Sequence, residues 1–191
     1  MNWKTQQDFK GKIRPPYSEM RSNKFKRWRE EFLAVKFCEG VSWDAALICS
    51  PDRDEGDDVF IKNGEHCYPF QITELAPKNP EVADVFPQSR NIGGEFMLKP
   101  YGSLKDEIGR SVLSLVQAKD NKCYADQESM NILIYINPPN VVVDVSLDID
   151  KEALTRHLRS SKFRTVSLCA GDEIIFIKGD INDLAAVSEQ G

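Results

Sequence analysis

Two acidic residues, Asp57 and Asp58, head the apolar stretch Val59-Phe60-Ile61-Lys62. A polar pair, Gln71 and Thr73, interrupts the next one, Tyr68-Pro69-Phe70-Gln71-Ile72-Thr73-Glu74-Leu75. Side chains two residues apart on a strand share a face, so Gln71 and Thr73 reach one pocket while Glu74 turns to the opposite face. A carboxylate beside an amide oxygen offers hard oxygen donors of the kind Mg²⁺ takes. Such an ion next to a phosphate polarises the phosphoryl oxygen and lowers the pKa of an attacking water. His66, beside Cys67, is an acid–base group by type, but its place in a turn predicts an exposed surface histidine.

Those residues need elements to position them. Asn63-Gly64 is a pair that tight hairpins prefer, so strands are expected over 58–62 and 67–75. Upstream, Phe25, Trp28, Phe32 and Leu33 recur at three- and four-residue steps, which predicts a helix over 23–38 with Ser22 or Asn23 as N-cap and Gly40 as stop. A short apolar strand follows at 45–49. Leu104, Ile108, Val112, Leu115 and Val116 mark a helix over 103–125, with Lys119 and Lys122 on its closing turns. The apolar run 131–137, closed by Pro138-Pro139, reads as a buried central strand. A short strand at 141–145, a helix capped by Asp150 and ending near 160, and a strand pair at 165–169 and 173–178 complete the order. Between them, 76–102 is a long irregular stretch with prolines at 77, 80, 87 and 100. Mixed ordering of this kind predicts an α/β fold with a mixed central β-sheet flanked by helices. Residues 1–22, holding Gly11 and Pro15-Pro16, are expected to form an extended basic N-terminal segment. Residues 23–191 would then form a single α/β domain.

Composition narrows the function classes. A chain of 191 residues suffices for one substantial core. The net charge of −5 argues against nonspecific coating of nucleic acid. Residues 1–37 hold ten Lys/Arg against four Asp/Glu, a net +6, and the remainder fifteen against twenty-six, a net −11. No apolar run approaches the ~20 residues that span a bilayer, and the first residues have no apolar signal-peptide core. A cytoplasmic protein with no membrane partner is the expectation. The five cysteines are far apart with no CxxC pair, and there are only two histidines. Buried reduced thiols are therefore expected rather than a zinc site. Trp3, Trp28, Trp43, Phe9 and Tyr17 lie among basic residues that could stack on single-stranded bases, but Trp28 fits the apolar side of its helix and is expected to pack there.

The order helix, three strands, helix, strand over roughly residues 23–137, with Asp58 and the triplet Gln71-Ile72-Thr73, resembles the PD-(D/E)xK, or restriction-endonuclease-like, nuclease superfamily. The resemblance implies a restriction-endonuclease-like core and a metal-dependent endonuclease acting on nucleic acid, with Mg²⁺ as cofactor. It places Asp58, or the neighbouring Asp57, at the family's Asp, Gln71 at the second acid, and Thr73 at the Lys. Gln71 keeps a ligating oxygen without charge, whereas Thr73 supplies no cation. Family members also take an acid from the first helix, here Glu30 or Glu31, and a basic residue from the helix after the hairpin. There Gln117, Lys119 and Lys122 are the candidates, with Ser114, Gln117 and Lys122 along one polar side. The implied metal ligands are Asp58, Gln71, Glu31 and Glu30; the implied catalytic set is Asp58, Gln71, Thr73, Lys119 and Lys122. The substituted triplet leaves open a catalytically degenerate nuclease fold that binds nucleic acid or a protein partner, or that forms a homodimer. An unrelated α/β protein would have no such core.

Overall fold

The structure, a computed structural model, describes residues 2–9, 26–51, 57–75, 104–122, 127–136, 149–170 and 173–186. The expected strand at 141–145 and the stretch 76–102 lie outside these residues. Among the described residues seven strands form one mixed sheet in chain order: β1 (Lys4–Thr5), β2 (Leu47–Cys49), β3 (Val59–Asn63), β4 (His66–Leu75), β5 (Asn131–Ile136), β6 (Thr165–Ala170) and β7 (Glu173–Lys178). Strands β1 to β4 run antiparallel, β4, β5 and β6 are mutually parallel, and β7 returns antiparallel. Parallel neighbours need a crossover. Helix α2 (Leu104–Asp120) lies between β4 and β5 in sequence, and α3 (Lys151–Leu158) between β5 and β6.

Helix α1 (Lys26–Gly40) precedes the hairpin and covers one face of the sheet. Its Leu33, Ala34, Phe37 and Cys38 pack in one core with Ile48, Val59, Ile61, Phe70, Ile72 and Leu133. On the other face Val112 and Val116 of α2 and Leu154 and Leu158 of α3 pack with Ile132, Ile134, Ile136, Val166 and Leu168. Alternation along β5, with Leu133 toward α1 and its neighbours Ile132 and Ile134 toward α2 and α3, explains why this strand is a continuous apolar run. The result is a three-layer α/β/α arrangement.

The hairpin between β3 and β4 closes through Gly64-Glu65, with Asn63 paired to His66. Gly64 adopts φ +63°, the left-handed value that a two-residue loop can require at its first position. Helix α1 runs two residues past the expected end and keeps Gly40 inside it. Its stop is made instead by Ser42 at φ +59°. Trp43 N donates to Cys38 O at 2.8 Å and Ser42 N to Glu39 O at 3.2 Å, a Schellman closure. The accompanying apolar contact is the edge-on packing of Trp43 against Phe37, ring centroids 5.9 Å apart. Helix α3 begins at the predicted cap, Ala153 N donating to Asp150 Oδ1 at 2.9 Å.

The N-terminal residues join the sheet. Lys4 and Thr5 pair with Ile48 and Leu47 of β2, Gln6 Nε2 donates to Trp43 O at 2.6 Å, and Phe9 enters the α1-side core. Among the described residues no helix is long and apolar enough to cross a membrane.

Candidate functional site

Because Phe70 and Ile72 pack toward α1, the residues between and after them, Gln71 and Thr73, face α2. Asp58 stands one step beyond the Val59–Phe70 pair of the β3–β4 ladder, which sets it opposite Gln71. Two backbone bonds hold it there: Asp58 N donates to Phe70 O at 3.0 Å, and Ile72 N donates to Asp58 Oδ2 at 2.9 Å. From the last turn of α2, Lys119 Nζ donates to Gln71 Oε1 at 2.8 Å. From the start of α1, Lys26 Nζ lies 3.7 Å from Glu30 Oε1 and 3.5 Å from Asp58 Oδ1. Helix α1, β4, α2 and the residue leading into β3 thus deliver two carboxylates, two ammonium groups and a buried amide to one spot.

The electrostatics show how tightly these groups are coupled. Burial and the nearby Asp58 carboxylate push the Glu30 carboxyl up to about 7, against the opposing pull of Lys26 and Arg29. Burial lowers the Lys119 ammonium from its ordinary value, Asp58 and Glu30 opposing the shift and Lys26 adding to it. Lys119 therefore responds to every charge in the group. The lysine that reaches Gln71 comes from the following helix rather than from β4 itself.

The remaining sequence candidates are placed differently. Glu31 is 2% exposed and belongs to another network: Lys4 Nζ at 2.5 Å, Arg27 Nε at 3.5 Å and the Ser50 hydroxyl donating at 3.1 Å. It ties β1, α1 and the end of β2 together. Thr73 is half-buried on β4, paired to Ile134, and its hydroxyl makes no hydrogen bond among the described residues. Lys122 is exposed in the turn after α2, where its N–H donates to Lys119 O, and Ser114 and Gln117 are exposed. His66 is exposed at the head of β4. Cys38, Cys49, Cys67 and Cys169 are buried free thiols, and burial pushes Cys38 up to about 12, which keeps it inert as a nucleophile.

Lys26 belongs to the cluster although the motif reading does not single it out. Its signal in the sequence is the i, i+4 spacing to Glu30. The oxygens that could hold a metal are those of the Asp58 and Glu30 carboxylates and the Gln71 amide. Among the described residues no group of three His, Cys, Asp or Glu side chains converges as an all-protein cage. Magnesium is commonly held by one or two carboxylates, with water and substrate phosphate completing its octahedron, so this donor chemistry fits the ion.

No protein-family model matches the chain. No curated protein and no solved structure matches it either.

Proposed function

We propose that this chain is a nuclease-like phosphodiester hydrolase that acts on nucleic acid with the help of a divalent metal. The observation that carries the reading is the 2.8 Å bond from Lys119 to Gln71, made beside the Asp58–Glu30 carboxylate pair. The acid, amide and lysine functions of the degenerate triplet are thereby gathered at one place from the residue before β3, from β4 and from α2. The order α1, three strands, α2, β5, with β4 and β5 parallel, supports a restriction-endonuclease-like core.

Asp58, Glu30 and Gln71 would hold the ion. When bound, Mg²⁺ supplies Lewis-acid activation of the phosphoryl oxygen and of a water. The chain's own groups do the rest. Lys119, anchored on Gln71, presents positive charge where negative charge develops on the phosphoryl oxygens. Glu30, near half-protonation at neutral pH, can hold or release a proton at its carboxyl. The bond from Ile72 N keeps the Asp58 carboxylate from rotating away.

One observation favours a second reading, a catalytically degenerate fold that binds nucleic acid or a protein. Lys26 already stands between the two carboxylates as a counter-ion. Incubation of the purified protein with labelled DNA and RNA, in Mg²⁺, in Mn²⁺ and in chelator, separates the two. Metal-dependent cleavage that drops about 100-fold or more in both Asp58→Ala and Lys119→Met is expected, the usual scale for removing one such group. Cleavage that ignores the metal or Asp58 would refute the site. Metal-independent binding without cleavage would establish the second reading.

A further inference from the structure

A cleft of about 500 Å³ shares no lining residue with the Asp58 cluster. It lies at the loop after α3 and the end of β7, where Lys162, Arg164 and Lys178 share its walls with Glu128 and Asp183. Residues 156–164 carry Arg156, Arg159, Lys162 and Arg164 and no acidic residue, a net +4 on a chain whose total is −5. All four are exposed, and among the described residues none of them forms an ion pair. Only the Arg164 Nε is committed, donating to Asp183 O at 3.0 Å. Exposed like charges at this density repel one another, and a chain with thirty acidic residues leaves them unpaired. An external polyanion would relieve that repulsion.

The loop is fastened to the cluster's own scaffold. Asp120 Oδ1 accepts from Ser161 Oγ at 3.2 Å and from Lys162 N at 3.0 Å. Asp120 is the residue after Lys119, so one helical turn carries both the lysine that reaches Gln71 and the anchor of the basic loop. Across the sheet, Gln71 pairs with Ile132 and Ile132 with Val166. Two strand spacings, about 10 Å, therefore separate Gln71 from the strand that Arg164 leads into. A backbone with a phosphate every several ångströms can engage both places at once.

We propose that the face formed by Arg156, Arg159, Lys162 and Arg164 is a docking surface for the phosphate backbone of a nucleic acid, holding the strand as it enters the Asp58–Gln71–Lys119 site. The proposal rests on the nuclease-like reading for its occupant. A membrane surface is a poorer fit because the apolar residues of this segment, Leu158 and Phe163, are buried in the α2–α3 core and leave nothing to insert.

The test is the salt dependence of binding. Fluorescence anisotropy of labelled single-stranded DNA, duplex DNA and single-stranded RNA, from 50 to 200 mM salt, is compared for the full chain and for the triple variant Arg156→Gln, Arg159→Gln, Lys162→Gln. Losing three phosphate contacts should lower the salt slope by about 2.7 for duplex and weaken binding about tenfold or more. Thermal melting of both proteins checks that the fold is kept, and Arg159→Gln alone, expected to lower the slope by about 0.9, replaces the triple variant if it melts early. Equal slopes and affinities would overturn the surface while leaving the catalytic reading intact. Slope loss in the variant, with cleavage insensitive to Asp58→Ala, would support the surface and refute the catalytic reading. Absence of nucleic-acid binding by the unmodified chain, or patch-dependent binding only to anionic vesicles or polyglutamate, would overturn the nucleic-acid assignment.

Discussion

Glu30 has a carboxyl displaced to about 7 from the ordinary 4.5, so its proton is bound more firmly in the folded chain than in the unfolded one. Its contribution to stability is then fully present below pH 4.5 and is lost as pH rises through about 7, because the folded state must ionise the carboxyl in a buried place beside the Asp58 carboxylate. At about 1.4 kcal/mol per unit, discounted for residual solvent and for Lys26, the loss is on the order of 2 kcal/mol. Urea unfolding of the unmodified chain and of Glu30→Gln at pH 5 and pH 8 should show the variant gaining that much relative to its parent at the higher pH. A stability difference that does not change with pH would mean that Glu30 is solvated and uncoupled from Asp58. At this scale the sequence was legible where a residue type had only one plausible neighbour. The hairpin register sets Asp58 opposite Gln71, whereas the sequence left Gln117, Lys119 and Lys122 as alternatives on the next helix, and only the structure shows that Lys119 reaches Gln71. Glu31 was not separable from Glu30, because adjacent helical residues differ by about 100° in direction and only packing shows which side meets the sheet.

Asn131 shows what an element-scale reading leaves out. As the first residue of an apolar run it reads as a strand boundary, yet it is fully buried and uses both ends of its amide. Its Nδ2 donates to Pro69 O at 3.0 Å and to Ala185 O at 3.1 Å, while its Oδ1 accepts from Thr165 Oγ1 at 2.9 Å and from Ala185 N at 3.0 Å. One side chain joins β4, β5, β6 and the segment after β7. Asn131→Leu would orphan a buried hydroxyl, a backbone N–H and two carbonyls, each worth about 1–3 kcal/mol when left unmade, and local rearrangement would recover part of that. The expected destabilisation is about 3 kcal/mol by urea denaturation, and less than about 1 kcal/mol would show that water replaces the amide. The strands and helices around it were legible because their apolar residues repeat at two or at 3.6. Bounds moved where chemistry other than periodicity decided them: Gly40 could have ended α1, but the Schellman closure at Ser42 and Trp43 offered bonds and an aromatic contact that Gly40 did not.

For the molecule as a whole, the mixed sheet was legible from the order of elements, whereas its first strand was not. Two residues, Lys4 and Thr5, carry no periodicity, and a basic segment with a Pro-Pro pair reads as an extended appendage. What brings them into the fold is a partner far along the chain: Glu31, almost wholly buried, takes the Lys4 ammonium, with Arg27 and Ser50 as its other contacts. The same α1 that presents Lys26 and Glu30 to the cluster is thereby fastened to the sheet through Glu31, so the terminal strand and the candidate site share a support. Deleting residues 1–9 removes Lys4, the Gln6–Trp43 bond and the buried Phe9 ring together. Breaking a buried ion pair by removing one partner costs about 3–5 kcal/mol, and the remaining Arg27 and Ser50 contacts moderate it here. Lys4→Met, which keeps the strand and most of the stem packing, isolates the ion-pair part at about 2 kcal/mol. Urea midpoints measured for the parent, Lys4→Met and the deletion should fall in that order. If the deletion unfolds at the parent's midpoint, β1 is not part of the cooperative unit and the Arg27 and Ser50 contacts suffice for Glu31.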